Sequence, residues 1–320
     1  MNPPALFLPP PELLEALHGS RRPLLIAHLS PDGDTLGSLC GLGVMLYRLG
    51  KEPILACQDR VPGSLGFLPF SERVANTADV DADLVVALDC SDAGRLGNLH
   101  QPRRQAGLPL VVIDHHITNV FFGDINWVEA RACATAELIY DLALALPAPI
   151  DADVATCLLT GLVTDTRGFR TDSTTPRTVD IAASLMAAGA SLFAISSATL
   201  DARSYPLVQL WGRALASVRL DGAVISVTNT RAMRADLNGL TRAEGLASFL
   251  LGANEADVAA VFTELPEGEV ECSFRAQPGH NVATLALELG GGGHPLAAGC
   301  TVKGQVDEVR LRLVARLQSA

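Results

Sequence analysis

Histidine and aspartate residues follow several apolar runs of the chain, and these residue types could bind divalent cations. An HxxxDxD pattern at 28–34 comes after the first run, Asp89 after the third, and Asp114-His115-His116 after the fourth. A further acid, Asp165, ends the apolar helical segment 158–164. Imidazole together with carboxylate suits manganese, and also iron, cobalt or zinc, whereas the absence of cysteine ligands argues against a structural zinc site.

Each of these elements has an ordinary structural explanation when it is taken alone. An aspartate after a strand is often a helix cap, and Asp34 could cap a helix that begins near Leu36. A pair such as His115-His116 could be structural. Four carboxylates gathered in one cleft, however, would repel one another and take up protons, unless cations balance their charge. The joint pattern therefore predicts a site for two divalent cations.

The elements that must position these residues alternate between strand and helix patterns. Four apolar runs do not alternate with polar residues, as expected for parallel strands that are covered on both faces: 24–27, 53–57, 84–88 and 110–113. Residues 36–49 have a helical pattern that ends at Gly50. The predicted fold class is α/β with a doubly wound parallel sheet, which gathers ligands at the carboxyl ends of its strands.

From about residue 133 the apolar pattern is mostly helical, and after residue 216 strand and helix patterns alternate again. Spaced apolar residues predict helices at 133–146, 151–164, 175–188 and 203–216. Strand patterns then return at 224–227, 258–262 and 270–274, with helical patterns at 241–251, 281–289 and 307–317. We expect a first domain at 1–190, a helical connector at 191–216 and a smaller α+β domain at 217–320.

Composition limits the classes of protein to which the chain can belong. Of its 320 residues, 48% are hydrophobic and 18% are charged, which excludes wholesale disorder. The net charge of −11 argues against coating of long nucleic acids, but a small anionic substrate is compatible with it. Seven scattered cysteines without a CxxC pair, no signal-peptide pattern and no apolar run of about 18 residues predict a soluble, cytoplasmic protein without a membrane partner.

Four segments resemble the signature motifs of the DHH phosphoesterase superfamily: 28–38, 89–97, 114–119 and 161–166. A fifth segment, GGGGHPLAAG at 290–299, resembles the signature of the DHHA1 domain. The order of these motifs spans nearly the whole chain. The chain most resembles the bacterial nano-RNase/pAp phosphatase (NrnA-like) branch, whose members degrade very short oligoribonucleotides. They also remove the 3′-phosphate of 3′-phosphoadenosine 5′-phosphate (pAp).

The resemblance implies a catalytic DHH domain that holds two divalent cations, most often Mn²⁺. The implied metal ligands are His28, Asp32, Asp34, Asp89, His115 and Asp165. Asp89 would bridge the two ions, which would activate water and clamp phosphate oxygens. His116 would be a catalytic group that faces the scissile phosphate, and Asp114 would orient its neighbours. Arg167 stands where many relatives have glycine, and it could influence substrate preference.

The DHHA1 domain is expected to bind the substrate. Arg275 matches the substrate arginine of the family, and its guanidinium can hold a terminal phosphate in bidentate fashion. Gly291, Gly292 and Gly293 have no side chains, so their backbone N–H groups could approach a phosphate or a base, with His294 directly after them. The glycine run could instead be a flexible hinge. The expected substrates are pAp and single-stranded RNAs of about two to five nucleotides.

Three other functions remain open at this point. The first is hydrolysis of linear or cyclic dinucleotides, and the second is pyrophosphatase or polyphosphatase activity, against which the GGGGH motif argues. The third is a non-catalytic RNA-binding module, against which the complete set of candidate ligands argues. The sequence also leaves open the physiological metal, RNA-versus-DNA preference, the direction of degradation, the relative importance of the two substrates and whether the chain forms a homodimer.

Overall fold

A computed structural model of the chain describes residues 6–77, 81–100, 107–237 and 239–318. The chain divides into two compact units, Met1–Ala202 and Arg203–Ala320. Each unit has its own sheet and its own hydrophobic core.

A parallel sheet forms the centre of the N-terminal unit. Its strands are β1 (Pro23–Ala27), β2 (Ile54–Ala56), β3 (Leu84–Leu88), β4 (Leu110–Asp114) and β5 (Ile125–Val128). They pair in the order β2-β1-β3-β4-β5, and every pairing is parallel. All residues of β1 and β3 are buried, as a sheet covered on both faces requires. The predicted α/β class is therefore confirmed, although β5 was missed because its sequence, INWV, contains a polar residue.

The helices of this unit are α1 (Pro11–Gly19), α2 (Gly33–Arg48), α3 (Thr135–Ala145), α4 (Ala152–Asp165), α5 (Pro176–Ala187) and α6 (Leu192–Ser196). Helix α2 is buried over most of its length and packs against α3 and α4. Its N-cap is Asp32, whose side chain accepts from the backbone N–H groups of Asp34 and Thr35. The helix therefore begins at the end of β1 and carries Asp34 in its first turn.

The C-terminal unit contains a mixed sheet. Its strands are β6 (Arg219–Asp221), β7 (Val224–Asn229), β8 (Val258–Glu264), β9 (Glu269–Ala276), β10 (Gly292–His294) and β11 (Ala297–Lys303). They pair in the order β10-β11-β9-β8-β7-β6, and β7 with β8 is the parallel pair. The predicted smaller α+β architecture is confirmed. Sequence reasoning missed β10 and β11, because strands that consist largely of glycine and alanine have low β-propensity.

The helices of the C-terminal unit are α7 (Tyr205–Leu215), α8 (Arg231–Arg234), α9 (Leu246–Leu250), α10 (Val282–Glu288) and α11 (Val306–Leu317). The helix predicted for 241–251 is shorter than expected. Gly245 has a left-handed backbone, with φ +78°, and α9 begins after it.

Across the described residues, no single helix is long and apolar enough to cross a membrane. One bent pair, Pro176–Ala187 with Leu192–Asp201, passes by length and composition alone, with 111° between its two helices.

Candidate metal centre and substrate pocket

The carboxyl ends of three neighbouring strands bring the predicted histidines and aspartates together. His28 follows β1 and Asp89 follows β3, and their Nε2 and Oδ2 atoms lie 3.5 Å apart. His115 follows β4, and its Nε2 lies 3.6 Å from Asp89 Oδ1. The same nitrogen lies 3.6 Å from Asp165 Oδ2 and 3.9 Å from Asp34 Oδ2.

Three overlapping groups of side chains in this cluster could each hold a metal ion. They are Asp89–His115–His116, His28–Asp32–Asp89 and Asp34–His115–Asp165, with the ligand atoms of each group within 4.8 Å of one another. All six predicted ligands belong to these groups. Asp89 and His115 each belong to two of them. The two oxygens of the Asp89 carboxylate can serve neighbouring ions, whereas His115 offers its Nε2 to one ion. Mixed imidazole and carboxylate donors fit divalent transition-metal ions.

The cluster is closed on one side and open on the other. The side chains of His28, Asp34 and Asp89 are at most 3% exposed, whereas that of Asp32 is 60% exposed. A ligand can therefore reach the cluster from the side of Asp32, while the opposite side is packed against protein.

Thr35 is a central member of the cluster that sequence reasoning missed. Its buried hydroxyl lies 2.5 Å from His28 Nε2 and donates to Asp89 Oδ2 at 2.6 Å. The same hydroxyl lies 3.1 Å from Asp32 Oδ1. Thr35 stands directly after the HxxxDxD pattern, and this position at the start of α2 was the available signal.

Segment 132–136, which ends in the first turn of α3, contacts three residues of the cluster: Asp34, Asp89 and His115. The backbone N–H groups of Thr135 and Ala136 donate to the two oxygens of Asp34 at 2.6 and 2.9 Å. The Thr135 hydroxyl donates to Asp89 Oδ1 at 2.9 Å. The positive end of the α3 dipole thus faces Asp34. Sequence reasoning missed this segment because its contribution comes mostly from backbone groups.

A hydrogen-bonded chain fixes the orientation of His116. Its Nδ1 lies 2.7 Å from Asp114 Oδ1, and Asn119 Nδ2 donates to the other Asp114 oxygen at 2.6 Å. Asp114 is fully buried, whereas the His116 side chain is 25% exposed. Because Nδ1 is engaged with Asp114, the Nε2 atom of His116 is the one available to a substrate.

Burial and neighbouring charges move the pKa values of the cluster apart. Burial raises the pKa of Asp34 well above its usual range and that of Asp165 to about 6, and the Asp89 carboxylate adds to both shifts. Burial acts on Asp89 in the same direction. However, its hydrogen bond with His28 and the charges of His115 and His116 hold its pKa well below the usual value.

The pKa of His116 is raised to about 9. Burial opposes this shift, but the hydrogen bond to Asp114 and the nearby Asp89 carboxylate outweigh it. In the metal-free protein His116 is therefore protonated near neutral pH.

Asp89 and Arg167 are among the non-glycine residues of this unit whose backbones lie in the left-handed region that favours glycine. Asp89 has φ +57° and Arg167 has φ +52°. Such a conformation costs about 1–3 kcal/mol for a residue with a side chain. A glycine at position 167 would adopt this conformation without that cost. Its side chain is exposed.

A pocket of about 860 Å³ lies in the C-terminal unit. Its lining includes three predicted substrate-binding residues: Arg275, Gly291 and Gly292. Gly293 is outside this lining. The backbone of His294 belongs to β10, and its side chain lies outside the part of the chain that the structure describes. Gly292 and Gly293 belong to β10, which pairs with β11. Part of the glycine run is therefore a strand and not the flexible hinge that the sequence left open.

One face of β9 forms part of this pocket. Glu271, Ser273 and Arg275 alternate with buried residues and share this face. Arg275 Nη1 donates to the backbone oxygen of Phe274 at 2.8 Å. Arg242, which sequence reasoning did not single out, also lines the pocket and pairs with Glu271 at 2.7 Å.

Two family models match the chain. The model described as the DHH family, N-terminal domain, matches residues 23–162, and the DHHA1 domain matches residues 240–319. The first match includes every candidate metal ligand except Asp165. The second includes the pocket of the C-terminal unit.

Curated relatives match over most of their length. The bifunctional oligoribonuclease and PAP phosphatase NrnA of Thermus thermophilus is 35% identical over 303 residues, which cover 92% of this chain and 87% of that protein. The protein of the same name from Bacillus subtilis is 29% identical over 295 residues, with coverages of 87% and 88%.

Among solved structures, an exopolyphosphatase-related protein from Bacteroides fragilis has a TM-score of 0.89 at 22% identity. The alignment covers 96% of this chain and 95% of that one. Manganese-bound RecJ from Thermus thermophilus has a TM-score of 0.58 at 17% identity, over 99% of this chain and 56% of that one. Both similarities concern the fold.

Proposed function

The chain belongs to the DHH family and carries a DHHA1 domain, and on this basis we propose that it is a metal-dependent phosphoesterase. Its proposed substrates are oligoribonucleotides of about two to five nucleotides and the 3′-phosphate of pAp. The names of the relatives from Thermus and Bacillus support this choice of substrates. The observation that carries the proposal is the convergence of three candidate metal groups, which are linked to one another through Asp89 and His115.

Six side chains would hold two divalent cations: His28, Asp32, Asp34, Asp89, His115 and Asp165. Their two imidazoles and four carboxylates suit Mn²⁺, and two such cations would neutralise the charge of the four acids. When bound, the cations would supply an activated water and charge stabilisation for a phosphoryl group. Asp89, which belongs to two groups, is the proposed bridging ligand.

His116 is the proposed catalytic residue of the protein itself. Its Nδ1 lies 2.7 Å from Asp114 Oδ1, and this hydrogen bond favours the protonated imidazole. Its Nε2–H can then donate to a phosphoryl oxygen or transfer a proton to the leaving oxygen.

The proposed substrate-binding residues are Arg275, Gly291, Gly292, Gly293 and His294. The guanidinium of Arg275 would bind a terminal phosphate, and the pocket around it has room for a nucleotide. We assign catalysis to residues 1–190 and substrate binding to residues 217–320, joined by the helical connector at 191–216.

A substrate panel tests this proposal. The purified full-length chain is assayed with Mn²⁺, and again after chelation, on pAp, a dinucleotide, a pentanucleotide, a strand of about twenty nucleotides and a cyclic dinucleotide. We expect Mn²⁺-dependent cleavage of pAp and of the two short RNAs, with kcat/KM lower for the long strand. Preferred cleavage of the cyclic dinucleotide would favour the alternative function. Binding of RNA without cleavage of any substrate would indicate a non-catalytic module.

A further inference from the structure

A buried ion cluster lies next to the candidate metal centre. Arg177 on α5 pairs with two carboxylates of α3, Glu137 and Asp141, and its Nε lies 2.8 Å from Glu137 Oε1. The side chain of Arg177 is 11% exposed, and the two acids are at most 2% exposed. Asp141 also accepts from the backbone N–H of Phe7 at 2.9 Å. The two acids thus share one cation but have different second partners.

The second partner of Glu137 is the segment that holds the metal ligands. Its Oε2 accepts from the backbone N–H of Cys133 at 2.9 Å. The preceding residue, Ala132, places its carbonyl oxygen 3.3 Å from His115 Nδ1. The residues that follow, Thr135 and Ala136, hold Asp34 and Asp89 as described above.

Stability of the fold gives a poor explanation for this ion cluster. Arg177 Nε, Arg177 Nη1 and Asp141 Oδ1 are buried without a hydrogen-bond partner among the described residues, so the 2.8 Å contact of Nε with Glu137 is an ion pair without hydrogen-bond geometry. Ion pairs that are buried and incompletely hydrogen-bonded are often no more stabilising than apolar side chains of similar size. The benefit of Glu137 is therefore better sought in the geometry that it imposes on its neighbours.

We propose that Glu137, anchored by Arg177, is a positioning residue for the metal centre. The Glu137 carboxylate contacts the Arg177 guanidinium with one oxygen and accepts from the Cys133 N–H with the other. It thereby fixes segment 132–136, which orients His115, Asp34 and Asp89. This inference rests on the proposed function, because it requires that these three residues bind metal. Groups that orient metal ligands usually affect metal affinity, and their loss typically costs about 10- to 100-fold.

A matched pair of variants separates positioning from stability. Glu137→Gln and Asp141→Asn each remove one charge beside Arg177 and leave the other acid in place. The amide of Glu137→Gln has a single oxygen, so its NH₂ group must face a donor, either Arg177 or the Cys133 N–H. Asp141→Asn perturbs the same cluster without touching segment 132–136.

The measurement is Mn²⁺ affinity by titration calorimetry on the full-length, chelator-treated protein, together with the melting temperature. We expect both variants to melt lower than wild type. Glu137→Gln should bind Mn²⁺ about 3- to 10-fold more weakly, because it acts one contact further from the metal than a group that bonds a ligand directly. Asp141→Asn should bind within about twofold of wild type. At saturating Mn²⁺ the kcat of Glu137→Gln should recover, with an unchanged KM for pAp.

Two results would overturn the inference while leaving the proposed function intact. One is wild-type Mn²⁺ affinity in Glu137→Gln, and the other is an equal loss of affinity in both variants. If the wild-type protein binds no Mn²⁺, the proposed function fails and the inference fails with it. Should Glu137→Gln not fold, Glu137→Asp keeps the charge but is one methylene too short for both contacts. The same loss of affinity is expected for it, and wild-type affinity would contradict the proposal.

Discussion

The polar residues of the two units are organised in opposite ways. In the N-terminal cluster, Asp34 and Asp89 are at most 3% exposed, and several hydrogen bonds fix each of them. In the pocket of the C-terminal unit, the side chain of Arg242 is 63% exposed and that of Glu271 is 26% exposed. Chemistry on a phosphate requires charged groups in one fixed geometry, whereas binding of the rest of a substrate requires accessible groups. Substitutions in the cluster should therefore change kcat, and substitutions in the pocket should change KM.

The largest effect is expected for Asp89→Ala. This change removes the carboxylate that two candidate metal groups share, and kcat should fall by about 10⁴-fold or more, the scale seen when one member of a catalytic unit is lost. The fold should persist, and the metal-free protein should melt no lower, because like-charge repulsion in the cluster decreases. Steady-state kinetics and thermal melts test both points.

Asp180→Ala is the control for this substitution, because Asp180 is an exposed aspartate on α5. It should leave kcat unchanged. If Asp89→Ala keeps more than about a tenth of wild-type activity, the shared carboxylate does not have the central role assigned to it.

Residue types that carry chemistry could be predicted from the sequence, but the groups that fix them could not. His28, Asp89 and His115 stand directly after apolar runs, and the structure places those runs as adjacent parallel strands. Thr35 and Thr135 act through a hydroxyl or a backbone N–H, which any threonine possesses, so their types gave no signal. Glu137 and Arg177 are 40 residues apart, and only the packing of α5 on α3 brings them together.

The fold shows the same limit. Buried strands such as β1 and β3 are continuous apolar runs that can be predicted directly. The strands β10 and β11 exist because they pair with each other and with β9, and their glycine and alanine residues have no strand preference of their own. Tertiary pairing therefore determines the part of the pocket that contains the glycine run.

The next largest effect is expected for Arg275→Ala. Loss of a charge-assisted contact costs about 1.5–3 kcal/mol, so KM for a short oligonucleotide should rise by roughly 10- to 150-fold, with a small change in kcat. A small chromogenic phosphodiester that does not reach the pocket should be hydrolysed almost normally. Arg312→Ala, an exposed arginine of α11 outside the pocket lining, is the control and should leave both substrates unaffected. Equal losses on both substrates would mean that Arg275 supports the fold or the chemistry instead.

Substitutions at two neighbouring glycines, Gly291 and Gly292, can distinguish an effect on packing from an effect on substrate binding. A Cβ at Gly291 would lie 2.1 Å from the backbone oxygen of Gly299, whereas a Cβ at Gly292 would meet nothing within 4 Å. Gly291→Ala should therefore destabilise the C-terminal unit by about 1–3 kcal/mol, as overpacking does. Gly292→Ala should retain wild-type stability and raise KM if the backbone must approach the substrate closely there. Denaturant melts and kinetics test the pair, and an unchanged KM in Gly292→Ala would remove close approach as the reason for that glycine.

The last expected contrast is a pH dependence of stability that is confined to the N-terminal unit. The folded pKa of Asp165 is raised from 3.8 to about 6, and that of His116 from 6.5 to about 9. A group whose pKa is raised by folding contributes stability below its unfolded pKa, and this contribution is lost as pH rises through the folded value. Metal-free protein should therefore lose stability in the N-terminal unit from about pH 4 to pH 9. The lowered pKa of Asp89 has the opposite sign, and its effect falls below this range.

Mn²⁺ should reverse this trend, because cations and protons compete for the same carboxylates and imidazoles. The two tryptophans of the chain report on the units separately, since Trp127 lies in β5 and Trp211 in α7. In a Trp211→Phe variant, Trp127 fluorescence reports the melting temperature of the N-terminal unit. In chelator-treated protein this temperature should fall between about pH 4 and pH 9, by about 2–4 °C for each kcal/mol lost from the free energy of unfolding. With Mn²⁺ the same melt should shift upward as pH rises.

In a Trp127→Phe variant, the Trp211 melt should respond little to Mn²⁺, because the candidate ligands all lie in the other unit. If the Trp127 and Trp211 melts respond equally to pH and Mn²⁺, the effects of protons and metal are not limited to the N-terminal unit. The proposed difference between the two units would then be wrong.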